Sequence, residues 1–142
     1  MAPGTANQPE FEQPRPALKG KVLIVDQEQG DLHFYRSTLN ERGYDVRACG
    51  SYSDGRCCLD KEGFDLVIVS QGSRCFDGRT VLEHVVAAKQ HPPVLVVARC
   101  LDMGCYLQAM EMGAADYLEE PLSASQIVRV VETHLRRPPM GR

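Results

Sequence analysis

Three places in this chain put polar or reactive side chains directly after short apolar runs, where a fold could gather them. Ser70 closes the run Asp65-Leu66-Val67-Ile68-Val69. Asp26, Gln27 and Glu28 follow Lys21-Val22-Leu23-Ile24-Val25, and Glu119-Glu120-Pro121 follows Ala115 to Leu118. A fourth run, Val94 to Ala98, ends in the chemically silent Ala98 and then Arg99. A serine hydroxyl can accept a transferred group, and carboxylates can hold cations or move protons. A nucleophilic serine also needs a base. His33, His84, His91 and His134 fall on expected helices or a loop, away from these run ends, so no Ser/His/acid set forms and no enzyme is expected.

Cysteine is the other reactive type. Cys49, Cys57, Cys58, Cys75, Cys100 and Cys105 match no CxxC pair and no Cys/His zinc spacing, so small, reduced, buried side chains are the ordinary reading. The sharper reading is a redox rim made by Cys75 and Cys100, with Arg74 and Arg99 as the nearby cations.

The elements that must position these residues alternate in type. The runs at 21–26, 65–69 and 94–98 are apolar throughout, as in strands covered on both faces. Tyr44 to Ala48 alternates like an edge strand, and 115–118 reads as a fifth strand. Between them, Leu32, Tyr35 and Leu39 predict a helix over about 30–42 stopped by Gly43, and Ser51 or Ser53 caps a short helix ending at Gly63. Asp77 is positioned to cap a helix from Gly78 to Lys89. Asp102 caps a weakly amphipathic helix to Met112, closed by Gly113, which is expected to be the least firmly packed. Ser123 with Gln126 makes a capping box for a last helix to about Arg136. Five strands alternating with five helices give an α/β, doubly wound (βα)5 architecture, a parallel sheet of order 2-1-3-4-5 between two helical layers. That order brings the ends of the first and third strands together and predicts that Asp26, Gln27, Ser70, Ala98 and Glu120 converge.

Composition sets the remaining bounds. The chain has 142 residues, 43% hydrophobic and 25% charged, enough for one domain with its own core. A net charge of -3 with no basic cluster argues against direct nucleic-acid binding. No apolar run approaches the roughly 20 residues of a membrane helix and no signal peptide is visible, which makes a cytoplasmic location the expectation. Residues 1–19, with Pro3, Pro9, Pro14 and Pro16, read as a disordered arm, 20–137 as the domain and 138–142 as a tail.

With Val22-Leu23-Ile24-Val25-Asp26, Phe64-Asp65-Leu66-Val67-Ile68-Val69, Phe76-Asp77-Gly78 and Met112-Gly113-Ala114-Ala115-Asp116-Tyr117-Leu118 followed by Pro121, the chain resembles the receiver domains of bacterial response regulators over about residues 20–137. The resemblance implies the flavodoxin-like fold and a place in phosphorelay signalling. It implies an acidic pair after the first strand and an Asp ending the third, which bind magnesium and accept a phosphoryl group, with a Thr or Ser ending the fourth strand and a Lys before a Pro holding the phosphate. Here those positions hold Asp26 and Gln27, Ser70, Ala98 and Glu120; Tyr117 matches the family's switch aromatic. The expectation is a degenerate pseudo-receiver with no phosphotransfer. Asp26 between neutral Gln27 and Ser70 predicts no magnesium binding at physiological concentration. Glu120 is left three readings: an ion pair with Arg99, a hydrogen bond to Ser70 or Gln27, or exposure to solvent. Tyr117 is read either as packed against the 102–112 helix or as a half-buried strand aromatic. The family's partner face would comprise about 102–112, 115–118 and 123–136, used for a protein partner or self-association, with an output domain linked in a longer protein. The alternative is a small-molecule or thiol-redox sensor using the vacated pocket.

Overall fold

The computed structural model describes residues 19–136. Most of the expected arm and all of the tail therefore lie outside the described residues. The elements run β1 (Lys21–Val25), α1 (Gln29–Glu41), β2 (Asp45–Cys49), α2 (Tyr52–Lys61), β3 (Leu66–Ser70), α3 (Arg79–Val86), β4 (Val94–Ala98), α4 (Met103–Met112), β5 (Asp116–Glu119) and α5 (Ala124–Arg136). All strand pairs are parallel, in the order β2-β1-β3-β4-β5. The register sets Val25 opposite both Cys49 and Val69, Ser70 opposite Val97 and Ala98 opposite Glu119.

The two apolar layers follow from the period of two along each strand. Leu23, Val25, Val67, Val69, Val94, Val96 and Ala98 face α2, α3 and α4. Val22, Ile24, Leu66, Ile68, Leu95 and Val97 face α1 and α5, meeting Leu32, Tyr35, Leu39, Ile127 and Val131. β3 and β4 are buried at every residue, as expected of central strands covered on both sides.

The caps are largely those read from the sequence. Ser51 accepts from the Asp54 amide, Asp102 accepts from the Cys105 amide, and Ser123 and Gln126 exchange bonds of 2.7 and 3.1 Å as a capping box. Gly113, at φ 110°, ends α4 in the left-handed conformation that favours glycine.

Asp77 departs from its expected role. Gly78 is the N-cap of α3 and makes no side-chain cap bond, while the Asp77 carboxylate accepts from the Ser73 amide at 2.8 Å. That carboxylate closes the loop instead of the helix. A Cβ on Gly78 would overlap the Ser70 carbonyl oxygen, and the Gly78 amide donates to Gln71 O at 3.0 Å. α3 also stops at Val86, short of Lys89. The third strand is shifted by one residue, so Ser70 lies within β3 and not after it. Lys19, assigned to the arm, is tied down: its amide donates to Gly43 O and its ammonium lies 5.8 Å from the Tyr44 ring centroid.

Candidate functional site

A cavity of about 320 Å³ opens where β1 and β3 end, at the point where strand order reverses. Asp26, Gln27, Ser70 and Glu120 line it together with Tyr52 and Asp31. Ala98 does not. It follows Val97 on the strand, so it faces the opposite apolar layer, and Val97 lines the cavity instead. Four of the five expected residues thus converge and the fifth is core.

Ser70 is nearly buried and its hydroxyl is already engaged. Its Oγ lies 2.8 Å from the Tyr52 hydroxyl, which also approaches the Ser70 carbonyl at 3.3 Å. Burial raises the Tyr52 phenol above its ordinary pKa, with the Ser70 hydrogen bond acting the other way. Tyr52 had no chemical signal in the sequence; it reads only as a first-turn aromatic after a serine cap.

Asp26 is 4% exposed. Its Oδ1 accepts from the Glu28 amide at 3.0 Å, while Oδ2 is buried with no hydrogen-bond partner among the described residues. Burial is the main reason its carboxyl is pushed up to about 6; the Glu28 amide opposes this, and the charges of Glu120, Asp31 and Glu28 add to it.

Glu120 follows none of its three readings. Its Oε2 accepts the hydroxyl of Tyr35, a side chain that rises from the buried face of α1. Burial raises the Glu120 carboxyl, the Tyr35 bond lowers it, and Asp31 raises it further. The expected Arg99–Glu120 pair does not form. The Arg99 guanidinium turns outward to the first turn of α1, 2.7 Å from Asp31 Oδ2 and 3.5 Å from Glu28 Oε1. Tyr35 already serves the half-buried Glu120 carboxylate, and the acids at the α1 N-terminus, Glu28 and the partly exposed Asp31, lie within reach of the long side chain. Tyr35 was legible as a core residue but not as a hydrogen-bond donor to a position 85 residues away.

Tyr117 is buried, edge-on to Tyr106 with ring centroids 5.6 Å apart. Its hydroxyl donates to Gln71 Oε1 and accepts from the Asp102 amide at 3.2 Å, joining β5 to the loops after β3 and β4. It is therefore packed on α4, the first of its two readings, and Gln71, buried beside Ser70, is its unforeseen partner. The cysteines do not form the expected rim. Cys75 and Cys100 are exposed and neither lines the cavity. A different pair meets: Cys49 Sγ and Cys58 Sγ are 3.3 Å apart, and burial followed by Cys58 pushes the Cys49 thiol up to about 12.

The groups that phosphoryl chemistry would draw on are changed throughout the cavity. Among the described residues no lysine and no histidine lines it, Glu120 stands where a cation would be needed, and Ser70 offers a hydroxyl bonded to a phenol. The family's magnesium set is incomplete as well. Gln27 is an exposed amide, Ser70 is not a carboxylate, and of that set Asp26 alone is an acid.

The comparisons with known proteins agree with the fold and with its origin. A family model described as the response regulator receiver domain matches residues 22–132. The transcriptional regulatory protein PcoR of Escherichia coli is 28% identical over 117 residues, covering 82% of this chain and 52% of that protein. The transcriptional activator protein IrlR of Burkholderia pseudomallei is 31% identical over the same length, covering 82% and 51%. The chain thus spans about half the length of these curated relatives. Among solved structures, the non-phosphorylated HemR receiver domain from Leptospira biflexa superposes with a TM-score of 0.77 at 19% identity, over 87% of this chain and 100% of that one, a likeness of fold. The matching family model, the 2-1-3-4-5 sheet and the cavity at its switch point lead to one conclusion: this chain belongs to the response regulator receiver domain family of two-component signalling.

Proposed function

We propose that this chain is a pseudo-receiver, a signalling module that acts through protein contacts and not through phosphorylation. One observation carries the reading: the position of the phosphoacceptor is Ser70, hydrogen-bonded to Tyr52 at 2.8 Å, in a cavity where Glu120 replaces the family's lysine. An acyl phosphate cannot form on a hydroxyl, and a serine phosphate there would face Asp26 and Glu120 with no lysine to offset its charge. The module is not an enzyme in this reading.

The contact surface has support of its own. Met103 and Leu107 on α4 are 59% and 57% exposed, and Leu101, Tyr106 and Met110 are exposed beside them. A cluster of large apolar side chains on one helix is what a protein interface leaves visible on a single chain. The helix α4 that carries most of them is one element of the partner face that the family resemblance implies. The relatives named above are transcriptional regulators of which this chain spans about half, which supports an output domain linked in a longer protein. Nucleic acid would be met by that output domain and not by this acidic one. No helix among the described residues is long and apolar enough to cross a membrane, which accords with a cytoplasmic module.

Incubation of the chain with a small acyl-phosphate donor and magnesium, read by intact mass, tests the proposal. The expected spectrum is that of the unmodified protein. A phosphoryl adduct, labile or stable, overturns it.

A further inference from the structure

Two thiols from different elements meet on the α2 side of the sheet. Cys49 ends β2, Cys58 lies in the second half of α2, and their sulfurs are 3.3 Å apart. Both are unbridged, as are the other four cysteines. Cys49 is 7% exposed and belongs to the core layer that α2 covers. Cys58 packs against that layer and stays partly open to solvent. We propose that Cys49 and Cys58 are a redox pair, closed by a peroxide into an intramolecular disulfide that ties α2 to the end of β2.

The geometry is close to that of the bond. Sulfurs in a disulfide lie about 2.05 Å apart, so each must move by roughly 0.6 Å, a displacement of the size that side-chain torsions supply. The other cysteines are placed differently. Cys57, next in the chain, is exposed, and the Cys105 thiol is spent on the Arg74 carbonyl at 3.4 Å.

The unequal burial of the pair sets the order of events. Cys58 is the sulfur that a small solute reaches. Its thiolate attacks one peroxide oxygen, the O–O bond breaks, and the departing hydroxide takes the proton that the thiol gave up and leaves as water. The product is a sulfenic acid on Cys58. Burial, followed by the neighbouring sulfur, pushes the Cys49 thiol up to about 12, so it is a poor nucleophile toward solutes. Toward Cys58 it has the advantage of being held in place. The Cys49 sulfur attacks the Cys58 sulfur, the S–O bond breaks, and the hydroxyl leaves with the Cys49 proton as a second water. Two electrons, one from each thiol, thus reduce one peroxide to two waters.

The bond has a consequence at the cavity. It closes residues 49–58 into a ring that contains Tyr52, whose hydroxyl meets Ser70 Oγ at 2.8 Å. The ring also contains Gly55, where α2 passes so near β1 that a Cβ would meet Val25 at 2.7 Å. Oxidation therefore fixes the α2 wall of the cavity, whether or not phosphotransfer has been lost.

The test treats the reduced chain with hydrogen peroxide, raised until the exposed Cys75 is modified, and then alkylates the remaining thiols with N-ethylmaleimide in denaturant. Trypsin, cutting after Arg47, Arg56 and Lys61, releases Cys49 on peptide 48–56 and Cys58 on peptide 57–61. The expected result, at low peroxide, is a single chain lighter by two hydrogens, with these two peptides joined and separated again by dithiothreitol. The joined peptides should persist in Cys57→Ser and disappear in Cys58→Ser. The crosslinked chain should melt several degrees higher than the reduced one, because the bond restricts the unfolded chain. Three results overturn the proposal. One is alkylation of both Cys49 and Cys58 after Cys75 has been oxidised. Another is joined peptides that survive Cys58→Ser, which puts Cys57 in the bond. The last is a crosslinked chain that melts below the reduced one, which means that the bond forms only on an opened fold.

Discussion

At the scale of single residues, the cavity is controlled by which polar atoms are matched. Ser70, Tyr52, Glu120, Tyr35, Gln71 and Tyr117 are paired with one another across elements, and Asp26 is the exception. An acid whose folded pKa of about 6 stands above its ordinary 3.8 binds more protons folded than unfolded between those values. Its contribution to stability is therefore present below the lower value and is lost as pH rises to about 6. In chelator, Asp26→Asn should stabilise the protein at pH 7.5 by on the order of 1–3 kcal/mol, and the gain should shrink toward pH 4, as read by urea denaturation at each pH. An unchanged difference across that range would mean that the Asp26 carboxyl is not held up by its surroundings. Asn keeps the oxygen that accepts from Glu28, which makes the comparison fair.

At the scale of elements, two features decide what the site and the surface can do. The first is the close passage of the β3–α3 loop over the end of β3. Because a Cβ at Gly78 would overlap backbone and not a flexible side chain, Gly78→Ala should cost about 2 kcal/mol or more in denaturant-induced unfolding. A loss below about 0.5 kcal/mol would show that the loop relaxes freely. The second feature is α4, which buries only Cys105 and Ala109 and turns its larger apolar side chains outward. Its weak amphipathicity in the sequence predicted the least firm packing of the five helices; it buries two residues, as α2 does with Tyr52 and Gly55. Substituting Met103 and Leu107 together by Glu should leave the melting temperature within a few degrees, while reducing any self-association seen by size-exclusion chromatography with light scattering. A large drop in melting temperature would show that α4 packs on its own domain through these side chains.

At the scale of the whole molecule, the scaffold of a receiver is intact while the residues that carry its chemistry are changed together. The core layers, the parallel order and the buried Tyr117 are those of a working fold. Gln27, Ser70 and Glu120 meet in one cavity, so their substitutions act on one site, and the unmodified mass expected after treatment with an acyl-phosphate donor is a statement about that site as a unit. What the cavity retains is an excess of acids, with Asp26, Glu28, Asp31 and Glu120 set against the one guanidinium of Arg99.

The order of elements, the two-sided burial of β3 and β4 and the caps of α2, α4 and α5 were legible in the amino-acid order, because each depends on local period or on spacing within a run. β4 has the bounds read from the sequence, but the face that Ala98 takes was not legible, since one step along a strand exchanges its faces. Pairings across the sheet were beyond sequence reasoning altogether. Tyr35 and Glu120 are 85 positions apart, Arg99 and Asp31 are 68 apart, and Tyr117 and Gln71 are 46 apart. Nothing local distinguishes Tyr35 as a donor from Tyr35 as a core ring, or Asp31 as part of the site from Asp31 as one more first-turn acid. Tertiary structure decided these because a hydrogen bond or an ion pair is set by distances of a few ångströms between elements, whereas a strand or helix is set by the order of its own residues.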